Sequence, residues 1–303
     1  AAVYCSVHPQ SVDAFFTEAK KRDMRMIAGK VMMDRNAPEG LLDTPQRGYD
    51  ESKALLEKWD GVGRLHYAIT PRFALTSTHE QMEMTQDLVR EFPDAYVQTH
   101  VNESLGEIDF VKELFPNLPD YIGVYEHYGL LGPKTLLGHC IHMTDREIAA
   151  LSETGSVAVF CPTSNLFIGS GLFDRERLMA SNVRIAVATD VGGGTSYSML
   201  RTLDEGYKVL QLRGQRMSPL ESFFMMTLGN ARALSLEHTI GTLEPGADAD
   251  IVVLDARALP HMALKMEQVE HLAEELFLLQ TCGDDRVIAE TYVAGEAAKS
   301  GLS

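Results

Sequence analysis

The feature that most limits what this chain can fold into is an alternation. Short apolar runs are separated by amphipathic helical segments, seven times in succession. The runs are Val3–Val7, Met24–Met33, Leu65–Ile69, Ala95–His100, Thr135–His139, Ser156–Cys161 and Arg184–Asp190. Each is close to uniformly apolar, the pattern of a parallel strand covered on both faces. Helices are expected near 11–22, 49–59, 80–91, 107–114, 121–128, 145–153, 173–180 and 197–212. Thr144 with Glu147 is a capping box, and so is Ser218 with Glu221, which has Pro219 at the first helical position. Strands joined by helical crossovers give an α/β fold.

The alternation fits a closed barrel or an open sheet. Polar residues separate the two. His100, His139, Asp190 and the loop after Ile69 stand at the C-terminal ends of different strands, and a barrel gathers such ends around one mouth. A closed barrel of this type needs eight strands, and seven are counted. The expectation is therefore an incomplete TIM-type (β/α)8 barrel over residues 1–236, with strands 2 to 8 present and strand 1 absent. The first residues, Ala1–Val7, have the composition of the middle of a buried strand. From 237 to 303 the turn-rich GTLEPGADADIVVLD, a helix near 269–279 and a strand near 287–293 suggest part of a small β-sandwich subdomain.

Bulk properties narrow the partners. The formal charge of −16 repels phosphate backbones and anionic lipid, so neither nucleic acid nor membrane is expected. No apolar run is long enough to span a bilayer. Cys5, Cys140, Cys161 and Cys282 lie far apart without a CxxC and are read as reduced thiols of a cytoplasmic protein. A small-molecule substrate is compatible with all of this.

Four segments carry chemistry. In Gln98-Thr99-His100-Val101-Asn102-Glu103 an imidazole suited to a metal stands three residues from a carboxylate suited to proton transfer. Leu136-Leu137-Gly138-His139 ends the next strand, and Thr189-Asp190-Val191-Gly192-Gly193-Gly194 places an acid before a glycine loop. Pro71-Arg72-Phe73 offers a guanidinium and a ring to a planar polar ligand. Singly, each has a plain structural meaning: a surface histidine, a core histidine, a turn or cap aspartate, a loop ion pair. Jointly, two His, a Glu and an Asp at strand ends point to a hydrolytic metal site, since buried acids are rare without partners.

At this point the chain resembles a known family. The strand-end histidines, the last-strand aspartate and GTLEPGADADIVVLD are similar to the amidohydrolase superfamily. TPRF at 70–73, HVNE at 100–103, CPTSNLFIGSGLFD at 161–174 and TDVGGGTSYSML at 189–200 resemble its guanine deaminase branch. The resemblance covers essentially the whole chain. It implies one Zn2+ per chain with His100 and Asp190 as ligands. Glu103, His139 and Asp190 would be catalytic: Glu103 moving protons, His139 bonding the water or oxyanion, and Asp190 serving as base. The purine would be contacted by Arg72 and Phe73, with His100, Glu103 and Asp190 also lining the substrate. The reaction implied is guanine plus water giving xanthine and ammonia, by a homodimer. Alternatives are a related amidohydrolase acting on another heterocycle, or a non-catalytic scaffold of the same fold. One departure is large: the family's first strand ends in His-x-His, and no such motif occurs here. His8 belongs to the second strand in this reading. The expectation is a chain lacking the family's N-terminal region and inactive by itself.

Overall fold

The computed structural model describes residues 1–299. It contains two compact units, 1–158 and 159–303, whose division falls inside one strand.

The first unit is a parallel sheet with helical crossovers. Its strands are β1 (Ala2–Tyr4), β2 (Met26–Gly29), β3 (Val31–Met32), β4 (Leu65–Pro71), β5 (Tyr96–Val101) and β6 (Thr135–His139). They pair in the order β1-β2-β4-β5-β6, and the short β3 runs beside the end of β4. Met24–Met33 is thus two short strands rather than one, both paired with β4. The Lys30 side chain is fully buried in an ion pair with Asp43, and Arg47 bonds the other oxygen of that carboxylate. The first strand is shorter than expected. Beyond Tyr4 the chain keeps single bonds, Cys5 N to Gly29 O and Val31 N to Ser6 O, as it turns into a helix.

The helices of this unit are α1 (Pro9–Lys21), α2 (Pro45–Trp59), α3 (His79–Glu91), α4 (Leu105–Leu114), α5 (Tyr121–His127) and α6 (Asp145–Thr154). Val12, Phe16 and Ala19 form the buried stripe of α1. Phe16 packs on Trp59 at 5.6 Å between ring centroids, and the Trp59 indole donates to Asp13. Thr44, Thr78, Ser104, Asp120 and Thr144 cap α2 to α6 in turn, each accepting a backbone N–H. Strong caps fix where each crossover starts, and with it the length of the loop above each strand.

β7 (Val157–Phe160) spans the division. The second unit holds α7 (Pro162–Ile168), α8 (Arg175–Ala180), β8 (Arg184–Val187), α9 (Met199–Leu212) and α10 (Pro219–Phe224), followed by a kinked turn at Met225–Gly229. The Asn230 amide pairs with both backbone groups of Val187, at 2.9 Å each, as a strand neighbour would. An antiparallel sheet of β9 (Ile251–Leu254), β10 (Ile288–Val293) and β11 (Glu296–Ala297) closes the chain. A separate core of Leu200, Ala256, Leu259, Met262, Leu278, Leu279 and Val287 lies beside it. The expected helix near 269–279 runs instead from Leu272 to Cys282, started by a capping box of His271 and Glu274. No helix among the described residues is long and apolar enough to cross a membrane.

Candidate active site

Three neighbouring strand ends of the first unit carry five of the residues singled out in the sequence. Parallel pairing of β5 and β6 sets His100 opposite Gly138 and Val101 opposite His139. A Cβ on Gly138 would sit 3.6 Å from the His100 ring, in ordinary van der Waals contact. His100 and His139 lie nearly parallel, with ring centroids 5.5 Å apart. Phe73, just past β4, is 5.8 Å from the His100 ring on a tilted plane, and the Arg72 guanidinium stands over Phe73. His139 Nε2 and Glu103 Oε2 are 3.4 Å apart. His139 is buried, Glu103 is partly buried and Arg72 is exposed.

The His100 proton position follows from its partner. Nδ1 lies 2.7 Å from the Arg72 carbonyl oxygen, which can only accept. The proton therefore sits on Nδ1 and the lone pair on Nε2. A metal-ligating histidine is usually held in this way, with its other ring N–H given to a carbonyl.

Beneath these groups is a shell of buried polar bonds. The Tyr125 hydroxyl donates to the His100 carbonyl at 2.7 Å, accepts from Ala74 N at 3.1 Å and lies 3.1 Å from Thr99 Oγ1. The Asn102 amide donates to Glu147, which also accepts from Ile122 N and from Thr144. Glu107 accepts from Tyr121 Oη and from the backbone N–H groups of Glu103 and Ser104. Burial pushes the Glu107 carboxyl above the usual range; the Tyr121 bond opposes this and the Glu103 charge adds to it. Asn102 and His139 have φ of 50° and 77°. Such left-handed backbone in non-glycine residues is uncommon, and it is concentrated at functional sites.

Asp190 belongs to the second unit, three residues past β8. It too is left-handed, with φ 47°. Its carbonyl accepts from Gly194 N at 2.5 Å, closing a tight loop, and the Thr189 carbonyl accepts from Thr163 Oγ1 at 3.0 Å. A Cβ on Gly194 would collide with the Thr189 carbonyl, so this turn requires glycine. His100 offers an Nε2 lone pair in the first unit and Asp190 a carboxylate in the second, each a donor type that divalent metals take.

The sequence pattern of the amidohydrolase family matches residues 1–298. This chain belongs to the amidohydrolase family. The amidohydrolase is 50% identical over 295 residues to guanine deaminase of Escherichia coli K12, covering 97% of this chain and 67% of that one. The solved structure of that E. coli enzyme superposes with a TM-score of 0.97, covering 98% of this chain and 70% of the other. A guanine deaminase from C. acetobutylicum, solved with guanine in its active site, is 28% identical with a TM-score of 0.89, over 98% of this chain and 70% of that one. The family fold expected from the sequence is shared with these relatives.

Sequence reasoning missed several residues around the site. Tyr4, at the end of β1, packs on His100 with ring centroids 4.8 Å apart and the planes tilted by 52°. Tyr121 and Tyr125 were read only as parts of a helix, and Glu147 only as the capping-box partner of Thr144. The spacing of Tyr121 and Tyr125, one turn apart on a short helix, was the available signal, but it does not say which strand ends the hydroxyls reach.

Proposed function

We propose that this amidohydrolase hydrolyses guanine to xanthine and ammonia, with zinc as its metal. The observation that carries the reading is the corner built by Arg72, Phe73, His100, Glu103 and His139. It combines an aromatic and cationic wall with a carboxylate–imidazole pair. The likeness to guanine deaminases of other organisms supports the same substrate.

In this reading Arg72 donates hydrogen bonds to the polar edge of the purine, and Phe73 packs against its face. His100 and Asp190 would hold the zinc, which when bound would lower the pKa of a water molecule. Glu103 takes a proton from the attacking water and delivers it to the ring nitrogen. The departing amine then leaves as ammonia while a C–O bond replaces the C–N bond. His139, beside Glu103, bonds the oxygen that is being added. Asp190 accepts the second proton of the water, and that proton is returned to the amino nitrogen, so that it leaves as neutral ammonia. A homodimer in the cytoplasm belongs to the same proposal.

The test uses protein expressed from its intact gene. Zinc content and xanthine formation are measured, with adenine, oxidised purines and triazines as competing substrates. A folded, zinc-loaded protein that leaves guanine untouched overturns the proposal.

A further inference from the structure

The loop after β4 carries Arg72 and Phe73, and its backbone is unusually well satisfied. The Arg72 carbonyl accepts from His100 N, His100 Nδ1 and Thr99 Oγ1. The Phe73 carbonyl accepts from Thr76 and from Ser77 Oγ. The next three carbonyls are all taken by one tripeptide, Asp34-Arg35-Asn36, which follows β3. Arg35 Nη2 donates to Ala74 O at 3.1 Å, and Asn36 Nδ2 donates to Leu75 O at 2.7 Å. The backbone N–H groups of Asp34 and Arg35 donate to Thr76 O at 2.9 and 3.3 Å. The Asp34 carboxylate then accepts from both Thr78 N and Thr78 Oγ1, at the start of α3. Asn36 reaches its partner from a left-handed backbone, φ 51°, a conformation that asparagine tolerates better than most residues.

We propose that Asp34, Arg35 and Asn36 are positioning residues that set the aim of Arg72 and Phe73, and so act on the affinity and selectivity for the purine. None of the three is placed in contact with substrate; they act by fixing the loop. A loop held at consecutive carbonyls loses little conformational entropy when ligand arrives, which is how preorganisation raises affinity. The proposal rests on the guanine reading for its substrate, but its structural half does not.

Two variants separate the bond from the backbone. Asn36→Gly keeps the left-handed conformation and removes the donor. Asn36→Asp keeps the shape and turns an acceptor toward the Leu75 carbonyl. Hydrogen exchange of the 72–78 peptide, thermal stability, and guanine KM and kcat are measured on the intact-gene protein. The expected result is faster exchange confined to 72–78 in both variants, with the melting temperature of Asn36→Gly near wild type. KM should rise about tenfold, the upper scale for one net hydrogen bond, with kcat changed far less. Wild-type exchange in 72–78, or KM, kcat and melting temperature falling together, overturns the proposal. A wild-type protein without guanine turnover would defeat the substrate reading alone, and the exchange pattern would still decide the clamp.

Discussion

The loop after β4 and the loop after β8 both carry residues singled out in the sequence, yet they are held in opposite ways. In the first, side chains from other segments occupy the backbone: Tyr125, Thr99, Arg35 and Asn36 each bond it. In the second, glycines let the loop fold onto itself, with Gly194 N on the Asp190 carbonyl and Gly192 at φ 120°. Val191 and Tyr197 on that second loop are exposed, and an open cavity lined by Thr195, Ser196 and Arg201 adjoins it. A loop that must present side chains in fixed directions is braced from outside. A loop that must turn sharply behind one carboxylate is shaped by the residues it lacks.

The sharpest use of this contrast is chemical. Glu103→Gln should leave the zinc content unchanged and lower turnover by a factor on the order of 10² or more, the scale for a positioned acid–base group. Metal analysis beside the assay checks it; zinc lost together with activity would make Glu103 a ligand. Next, Arg72→Ala should cost roughly 1.5–3 kcal/mol of guanine binding, the worth of a charge-assisted hydrogen bond. Unchanged discrimination between guanine and adenine would count against the assigned role.

The bracing itself is tested by Tyr125→Phe. The change removes a buried hydroxyl that meets Ala74 N, Thr99 and the His100 carbonyl. An unmet buried backbone donor costs about 1–3 kcal/mol, read as a lower denaturant midpoint at unchanged slope. The self-folded loop is tested by Gly194→Ala. Forcing a methyl against the Thr189 carbonyl should cost about 1–3 kcal/mol, the scale of overpacking. If Gly194→Ala is silent while Tyr125→Phe is not, the second loop is the more pliable of the two.

The smallest effect concerns pH. Burial raises the Glu107 carboxyl, so the folded protein keeps that proton to higher pH than the unfolded chain does. The resulting stabilisation is present below the unfolded carboxylate value and is lost as pH rises through the folded one. Glu107→Gln should flatten this part of the profile. Denaturation of both proteins across the acid range measures it, and parallel profiles would show that Glu107 contributes no pH dependence.

The alternation of apolar runs and capped helices determined the strand–helix order, because buried parallel strands and amphipathic crossovers each leave a local period in the sequence. It also put His100, His139 and Asp190 at strand ends, since a polar residue closing an apolar run has few other places to go. Only the tertiary structure decided the rest. That Lys30 can be fully buried depends on Asp43, 13 residues away. That His100 carries its proton on Nδ1 depends on a carbonyl 28 residues back, and the Tyr125 hydroxyl reaches Ala74 across 51. A hydrogen bond depends on distance and direction in space, and neither has a period along the chain.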